Sequence, residues 1–254
     1  VVNAQGGVNG RRVDLKFYAE NGTDSSLLSS VDLMYKMDKV YGLVATRRDA
    51  PLEQVLSQTN YTFPIFAPLS GAANLRRYEE YIVHLRPSLT DEAASIANLL
   101  TSYFTYGGRI VVAVQKDDPY WFEAHATFAK YMRTVLHKKY RFVDVSNAEL
   151  MTNTRSVPNV LKLTESDKAV VMFANDDIAL ELSKNIFALS EDCRIILTYD
   201  SNGELFAKNI VSLADPSEYE ALKSRIIVST SFSESVASER FPDLYQSYLY
   251  QMQQ

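Results

Sequence analysis

Small polar, acidic and aromatic residues follow one apolar segment after another along this chain, at the points where buried strands are expected to end. The residues concerned are Thr46 and Asp49, Ser70, Asp117 and Asp118 with Tyr120, Asn175 and Asp176, and Tyr199 to Ser201. Because the carboxyl ends of parallel strands meet at one edge of a sheet, these side chains are expected to line a cleft. Hydroxyls, carboxylates and an aromatic wall, with no nucleophile–base pair among them, indicate a binding site for a small polar molecule.

Other kinds of chemistry find less support. The glycine-rich segment 6–10 precedes a strand-like segment instead of following one, which is the reverse of a dinucleotide-binding loop. The three histidines, His84, His125 and His137, are scattered with no carboxylate at ligand spacing, so we predict no metal site. Ser70 lacks the Gly-x-Ser-x-Gly context of an acyl-transfer nucleophile. The acidic pairs 117–118 and 176–177 favour helix capping, although a hydrolase that uses them stays an open alternative.

The composition limits the classes of partner. The chain has 254 residues, of which 46% are hydrophobic and 22% charged, and its net charge is −5. No basic stripe indicates nucleic acid, and no apolar run approaches the roughly 18 residues of a membrane span. Cys193 is the only cysteine, so an internal disulfide is impossible and a packed, unreactive thiol is expected. Two glycosylation sequons, at Asn21 and Asn60, lean slightly towards an exported protein.

Apolar strands alternate with amphipathic helices in two series, which predicts an α/β protein with two lobes built on parallel sheets. The predicted strands are 12–18, 40–45, 63–68, 81–87, 109–114, 141–145, 169–174, 194–198 and 225–230. The predicted helices are 27–35, 90–103, 120–136, 178–189 and 241–252, with another beginning near Pro51. Residues 1–107 with 231–254 are expected to form the first lobe, and residues 108–230 the second.

Four segments together resemble the type I periplasmic binding proteins, the family of the leucine/isoleucine/valine-binding proteins and related receptor ectodomains. Residues 2–11, VNAQGGVNGR, are close to the Asn-Ala-x-Gly-Gly-Val-Asn-Gly-Arg signature of that family. Residues 66–72, FAPLSGA, residues 85–88, LRPS, with Asp91 and Glu92, and residues 115–120, QKDDPY, agree in order and spacing. The matching segments cover about the first half of the chain, and the second half follows the expected order of strands and helices.

The resemblance implies a two-lobed clamshell of Rossmann-like parallel sheets that closes on an amino acid or a similar metabolite outside the cytoplasm. The turn that contains Thr46 and Asp49, and the turn formed by Ser70, Gly71 and Ala72, would hold the carboxylate of the ligand. The aromatic ring of Tyr120 would form one wall of the cleft, with Asp118 beside it. Asp200, or less directly Asp176, would accept the ammonium group. The resemblance implies no cofactor, and it also implies that the first strand and the C-terminal segment of the family's first lobe lie outside these residues.

Several roles fit this interpretation. The domain would serve an ABC transporter or the sensing function of a membrane-anchored receptor, with no catalytic activity of its own and no nucleic-acid partner. An alternative is the ectodomain of a receptor-type adenylate cyclase, which could act as a ligand-free dimerisation module and form a homodimer. Arg47 and Arg48 depart from the family pattern, in which small hydroxyl residues and glycines occupy the first pocket turn. They could suit a more anionic ligand, point into solvent, or fill a site that no longer binds amino acids.

Overall fold

The computed structural model describes residues 2–18, 24–44, 64–68, 70–78, 80–103, 108–146, 160–202, 206, 209–210 and 221–230. The chain divides into two compact units. One unit comprises Val1–Ser70 and Asn74–Leu85, and the other comprises Gly71–Ala73 and Arg86–Gln254. The lobe boundaries expected at residues 107 and 230 lie beside or within stretches that are not described, and they stay a prediction.

The first unit opens with the signature segment, which folds into a compact turn. A 3-10 helix covers Asn3–Gln5, and a β-carbon on Gly7 would lie 2.0 Å from the carbonyl oxygen of Arg11. The side chain of Asn3 donates to the carbonyl of Val13 and accepts from its N–H, each at 2.7 Å. The strand predicted at 12–18 is wrong, because in the described part of the chain no strand pairs with it and Phe17 is 89% exposed.

A small parallel sheet forms the rest of the first unit. Its described elements are the helix α1 (Asp24–Leu33), a π-helical turn (Met34–Asp38), the strands β1 (Leu43–Val44), β2 (Ile65–Phe66) and β3 (Ile82–Val83), and a 3-10 helix (Ala73–Tyr78). The strands are all parallel, in the order β1-β2-β3. The first residue of each strand is buried and the second is exposed, so the three strands share one buried face.

A larger parallel sheet organises the second unit. Its elements are the helix α2 (Leu89–Tyr103), the strand β4 (Arg109–Val114), the helix α3 (Pro119–Thr134), the strands β5 (Arg141–Asp144) and β6 (Asp167–Phe173), the helix α4 (Asp176–Leu189), the strand β7 (Arg194–Leu197), a 3-10 turn (Asp200–Asn202) and the strand β8 (Ile226–Val228). The strand order is β5-β4-β6-β7-β8. The order changes direction between β4 and β6, and ligands of open α/β sheets bind at such switch points.

Both faces of this sheet are buried, which explains its continuous apolar strands. Ile110, Val112 and Val114 of β4 pack into a core with α2 and α3, whereas Val111 and Ala113 pack into a second core with α4. The prediction of an α/β fold with parallel sheets is therefore confirmed. Helix α2 belongs to the second unit because its apolar side packs into the first of these cores. Among the described helices, none combines the length and the apolarity that a bilayer-spanning helix requires.

Candidate functional site

Arg86, Asp200 and Tyr120 meet at the carboxyl edge of the larger sheet. Asp200 begins the 3-10 turn after β7, Tyr120 is the second residue of α3, and Arg86 lies just before α2. The guanidinium of Arg86 binds the carboxylate of Asp200 through two bonds, Nη1 to Oδ1 at 2.9 Å and Nη2 to Oδ2 at 3.2 Å. The hydroxyl of Tyr120 donates to Oδ2 of the same carboxylate. We call these three residues, with Glu92 and Tyr199, the Arg86 cluster.

Glu92 is a second carboxylate beside the same guanidinium, but it is almost fully enclosed. Its side chain is 2% exposed, and its Oε2 lies 3.5 Å from Nη2 of Arg86. Ser229, directly after β8, donates to Oε1 at 3.4 Å, and Tyr199 supplies a backbone hydrogen bond. Burial raises the pKa of Glu92 to about 7, against the opposing effect of the positive charge on Arg86. Glu92 therefore exchanges a proton near neutral pH.

The guanidinium of Arg86 is covered on several sides. Its side chain is 8% exposed, and its central carbon lies 4.7 Å from the centre of the Tyr199 ring, a cation–π arrangement. Burial alone would lower the pKa of Arg86, but the hydrogen bonds and charge of Asp200 outweigh it, and the pKa is raised. The Asp200 side chain is 26% exposed and is the more accessible member of this ion pair. Of the two charged partners, it is therefore the carboxylate that solvent reaches more readily.

Gly71 brings the main chain close to the cluster. A β-carbon at this position would lie 3.0 Å from the hydroxyl of Tyr120 and 3.1 Å from Nη2 of Arg86, so glycine permits the approach. The carbonyl oxygen of Gly71 accepts from the N–H of Leu89, in the first turn of α2, at 2.6 Å. Ala72 is 4% exposed. Ser70 is 5% exposed and belongs to the first unit.

Helix caps place the functional side chains. Ser88 and Asp91 form a reciprocal cap at the start of α2, because Ser88 Oγ accepts from the Asp91 N–H at 3.1 Å and Asp91 Oδ2 accepts from the Ser88 N–H at 3.0 Å. Asp118 caps α3 by accepting from the N–H of Tyr120 at 3.0 Å, and Pro119 occupies the first helical position. Asp118 therefore fixes the start of the helix that carries Tyr120.

The switch point between β4 and β6 has a polar network of its own. Gln115 follows β4 and accepts at Oε1 from the N–H of Asn175 at 3.1 Å. The side-chain oxygen of Asn175 accepts from Nε1 of Trp121 at 3.0 Å. The rings of Trp121 and Tyr120 meet edge to face, with centroids 4.9 Å apart. The two strand ends are thus joined directly beside Tyr120.

The structure brings together part of the predicted site. Tyr120, Asp200 and Gly71 meet, Ala72 is buried beside Gly71, and Asp118 adjoins Tyr120 as a helix cap. Asp176 follows β6 by three residues and is the first residue of α4. Thr46 and Asp49 lie outside the described residues, as do Arg47 and Arg48. Sequence reasoning missed Arg86 and Glu92 as members of the site, although both stand in segments that carry the family resemblance.

Other reactive side chains lie away from the cluster. Cys193 is buried, and burial raises the pKa of its thiol to about 11, which leaves it protonated at neutral pH. His125 is partly buried and lies with Nε2 2.8 Å from the hydroxyl of Tyr140, and burial lowers its pKa. Within the described ranges, no three His, Cys, Asp or Glu side chains come together in a way that could hold a metal ion.

No protein-family model and no curated protein sequence matches this chain. Solved structures do match. One is an extracellular ligand-binding receptor from Verminephrobacter eiseniae, with a TM-score of 0.70, 12% identity, and coverage of 95% of this chain and 69% of that chain. Another is a branched-chain amino acid transporter substrate-binding protein from Streptococcus pneumoniae in complex with isoleucine, with a TM-score of 0.70, 18% identity, and coverage of 97% of this chain and 68% of that chain. A third is an ABC transporter solute-binding protein from R. palustris in complex with 4-hydroxybenzoate, with a TM-score of 0.58, 14% identity, and coverage of 82% of this chain and 60% of that chain. The chain thus spans between 60% and 69% of the length of these three proteins.

Proposed function

The chain has the fold of the type I periplasmic binding proteins, and on that premise we propose that it is an extracytoplasmic ligand-binding domain for a small polar molecule. The observation that carries this proposal is the Arg86 cluster. It gathers Asp200, Tyr120 and Arg86, from three separate parts of the chain, at the edge of the sheet where α/β proteins bind ligands. The carboxylate of Asp200, the more accessible partner of the ion pair, is held in place by Arg86 and Tyr120.

Such a preorganised carboxylate is suited to ligand recognition. Arg86 and Tyr120 fix its position before a ligand arrives, so binding does not require the side chain to be ordered. A hydrogen bond to a charged group in a protein typically contributes about 1.5–3 kcal/mol. Tyr120 adds an aromatic surface, and the backbone of Gly71 lies against the same cluster.

The proposed ligand is an amino acid or a related compound. This class comes from the family resemblance, and it is supported by the neighbours of this fold that bind isoleucine or 4-hydroxybenzoate. We assign the contacts with the ligand to Gly71, Ala72, Tyr120 and Asp200. Further proposed contact positions are Thr46, Asp49, Ser70, Asp118 and Asp176.

The proposed role is to supply an ABC transporter or to serve as the sensor of a membrane-anchored receptor, and a homodimer is proposed for the receptor role. Sequence beyond residue 254 would separate the two roles: a membrane helix followed by a cyclase or kinase domain would favour the receptor. The hydrolase alternative gains no support from the acidic pairs. Asp118 caps α3, and Asp177 accepts at its own helix start from the N–H of Ile178 at 2.8 Å.

A binding screen with matched variants tests the proposal. The fluorescence of Trp121, the only tryptophan, and the melting temperature would be measured with amino acids, hydroxy acids and small sugars. We expect at least one of these compounds to raise the melting temperature, since a ligand at 100 times its Kd stabilises the folded state by about 2.7 kcal/mol. Asp200→Asn should weaken its binding at least tenfold. Asp192→Asn, at an exposed carboxylate paired with Lys168, should leave binding unchanged.

Two results would count against the proposal. One is that no compound in the screen shifts either signal, although the protein is folded by circular dichroism. The other is that Asp200→Asn binds a ligand as tightly as the wild type does, which would place recognition away from the Arg86 cluster.

A further inference from the structure

We propose that Arg86 is a built-in counter-ion that occupies the place of a ligand ammonium group, so that the site selects ligands with an uncharged hydrogen-bond donor there. The chemical class that fits is the 2-hydroxy acids, in which a hydroxyl replaces the ammonium group of an amino acid. This inference rests on the proposed function and narrows it. It departs from the expectation that Asp200 accepts an ammonium group.

The first step is the occupancy of Asp200. A carboxylate has about four lone-pair positions. Three of the bonds it can accept are made within the protein, two from Arg86 and one from Tyr120. One position is left for a ligand, and the side chain is 26% exposed, so an incoming donor can reach it. One remaining position suits a hydroxyl, which donates a single hydrogen bond, better than an ammonium group, which has three N–H donors.

The second step is the charge. An ammonium group that touched Asp200 would also lie close to the guanidinium that Asp200 already pairs with, at 2.9 and 3.2 Å. Repulsion from the guanidinium then offsets part of the attraction to the carboxylate, because Coulomb energies fall only with the inverse of distance and the guanidinium stands directly behind the carboxylate. Glu92 cannot restore the attraction fully, since its side chain is 2% exposed and its pKa is about 7, so near neutral pH it is partly protonated. A hydroxyl keeps its hydrogen bond without this repulsion.

The third step concerns anionic groups. An anion could in principle bind the guanidinium of Arg86 instead. That guanidinium is enclosed by the carboxylates of Asp200 and Glu92 and by the ring of Tyr199, and its side chain is only 8% exposed. An anion would have to displace Asp200 to reach it. The carboxylate of the ligand is therefore expected to bind elsewhere, and an uncharged donor to face Asp200.

Matched ligand pairs test this inference. Each pair joins an L-amino acid to the 2-hydroxy acid with the same side chain and configuration: leucine with 2-hydroxy-4-methylpentanoate, alanine with lactate, and glutamate with 2-hydroxyglutarate. Affinities would be measured at pH 7.5 with the whole chain by calorimetry and by Trp121 fluorescence. For any side chain that binds, we expect the hydroxy acid to bind at least about tenfold more tightly than the amino acid.

Variants of Arg86 connect the preference to this residue. Arg86→Met removes the charge and keeps an apolar stem, so it should shift the preference at least tenfold towards the amino acid. Arg86→Lys retains a positive charge and should keep the preference for the hydroxy acid. Arg133→Met removes an exposed arginine at the end of α3 and should leave the affinities of both compounds unchanged. If Arg86→Met does not fold, the wild-type ratios and the lysine variant still decide the question.

Each outcome has a defined meaning. A wild-type protein that prefers the amino acid of a pair would overturn the inference and leave the proposed function intact. The inference is also overturned, and the proposed function again stays intact, if neither member of any pair binds but another compound of the wider screen does. A preference for the hydroxy acid that Arg86→Met leaves unchanged would also overturn the role of Arg86. If no compound of either set binds, both the inference and the proposed function fail.

Discussion

Glu92 and Asp200 share one guanidinium but differ in their surroundings. Asp200 is partly exposed and makes two short bonds to Arg86, whereas Glu92 is buried and lies 3.5 Å from it. Burial penalises the charged form of a carboxylic acid, and the longer contact with Arg86 offsets only part of that penalty for Glu92. Glu92 is therefore a carboxylate of the cluster whose protonation changes near neutral pH.

We predict that Glu92 makes the free energy of unfolding depend on pH between 4.5 and 7. Its pKa is about 7 in the folded protein, against a usual value of 4.5, so the folded state binds more protons in this range. The stabilisation is fully present below pH 4.5 and is lost as the pH rises through about 7. The loss is on the order of 3 kcal/mol. Glu92→Gln should remove this component, as measured by urea unfolding at pH 5 and pH 8.

Glu123→Gln is the matched control, since Glu123 is an exposed residue of α3. It should leave the difference in stability between pH 5 and pH 8 as large as in the wild type. Equal pH dependence in the wild type and Glu92→Gln would show that Glu92 does not titrate in this range.

The site could be predicted from the sequence only in part, and the reason is physical. Tyr120 and Asp200 were predicted because each stands at the carboxyl end of a strand, and the sheet brings such ends together. Arg86 was missed because its partner Asp200 lies 114 residues away along the chain, and no local pattern indicates which carboxylate a buried arginine will bind. Glu92 reads as an ordinary acid in the first turn of a helix.

At the scale of elements, α3 connects the site to the core through two adjacent residues. Tyr120 donates to Asp200 in the cluster, while Trp121 is 2% exposed, packs in the core and donates to Asn175. Successive helical residues point about 100° apart, so one turn can serve both purposes. The cap at Asp118 and the proline at position 119 set where this turn begins. The position of Tyr120 thus depends on packing as well as on its own hydrogen bond.

We predict that Trp121→Phe destabilises the protein by more than the loss of ring area. The substitution removes the donor to the side-chain oxygen of Asn175, which is half-buried, so the cost should approach the lower end of the roughly 1–3 kcal/mol that a buried unpaired acceptor costs. Thermal and urea unfolding followed by circular dichroism would measure the effect. Tyr131→Phe, on the same helix, removes an exposed hydrogen bond to Asn98 and should cost much less. Equal costs for the two variants would mean that the bond to Asn175 adds little.

Strands covered on both faces were easier to predict than the others. Residues 109–114 and 169–174 are continuous apolar segments, and β4 and β6 occupy nearly those bounds. The segment 12–18 alternates as a half-buried strand should, but its pattern cannot show whether a partner strand exists. Asn3 instead binds both backbone groups of Val13. Within the described residues, the strands of the first unit are two residues long, shorter than predicted, and only the first residue of each is buried.

At the scale of the whole molecule, the two units differ in how completely the residues of their strands are buried. In the second unit, β4, β6 and β7 are central strands with cores on both faces, and nearly all their residues have exposures of 0–3%. In the first unit, the outward residues of the sheet, Val44, Phe66 and Val83, are 42–65% exposed. Because apolar burial is the main source of stability, resistance to local opening should be distributed unevenly along the chain.

We therefore predict a gradient of amide hydrogen exchange. Amides of β4, β6 and β7 should exchange most slowly, since they open only when the second unit unfolds as a whole. Amides of β5 and β8, at the two edges of the sheet, should exchange sooner, and those of β1, β2 and β3 sooner still, by at least about 100-fold relative to the central strands. Mass spectrometry of peptides that cover each strand would measure these rates. A ligand added at saturation should slow exchange after β4 and β7, where Tyr120 and Asp200 lie, more than in β5. Uniform exchange across both sheets would contradict the difference in burial on which this prediction depends.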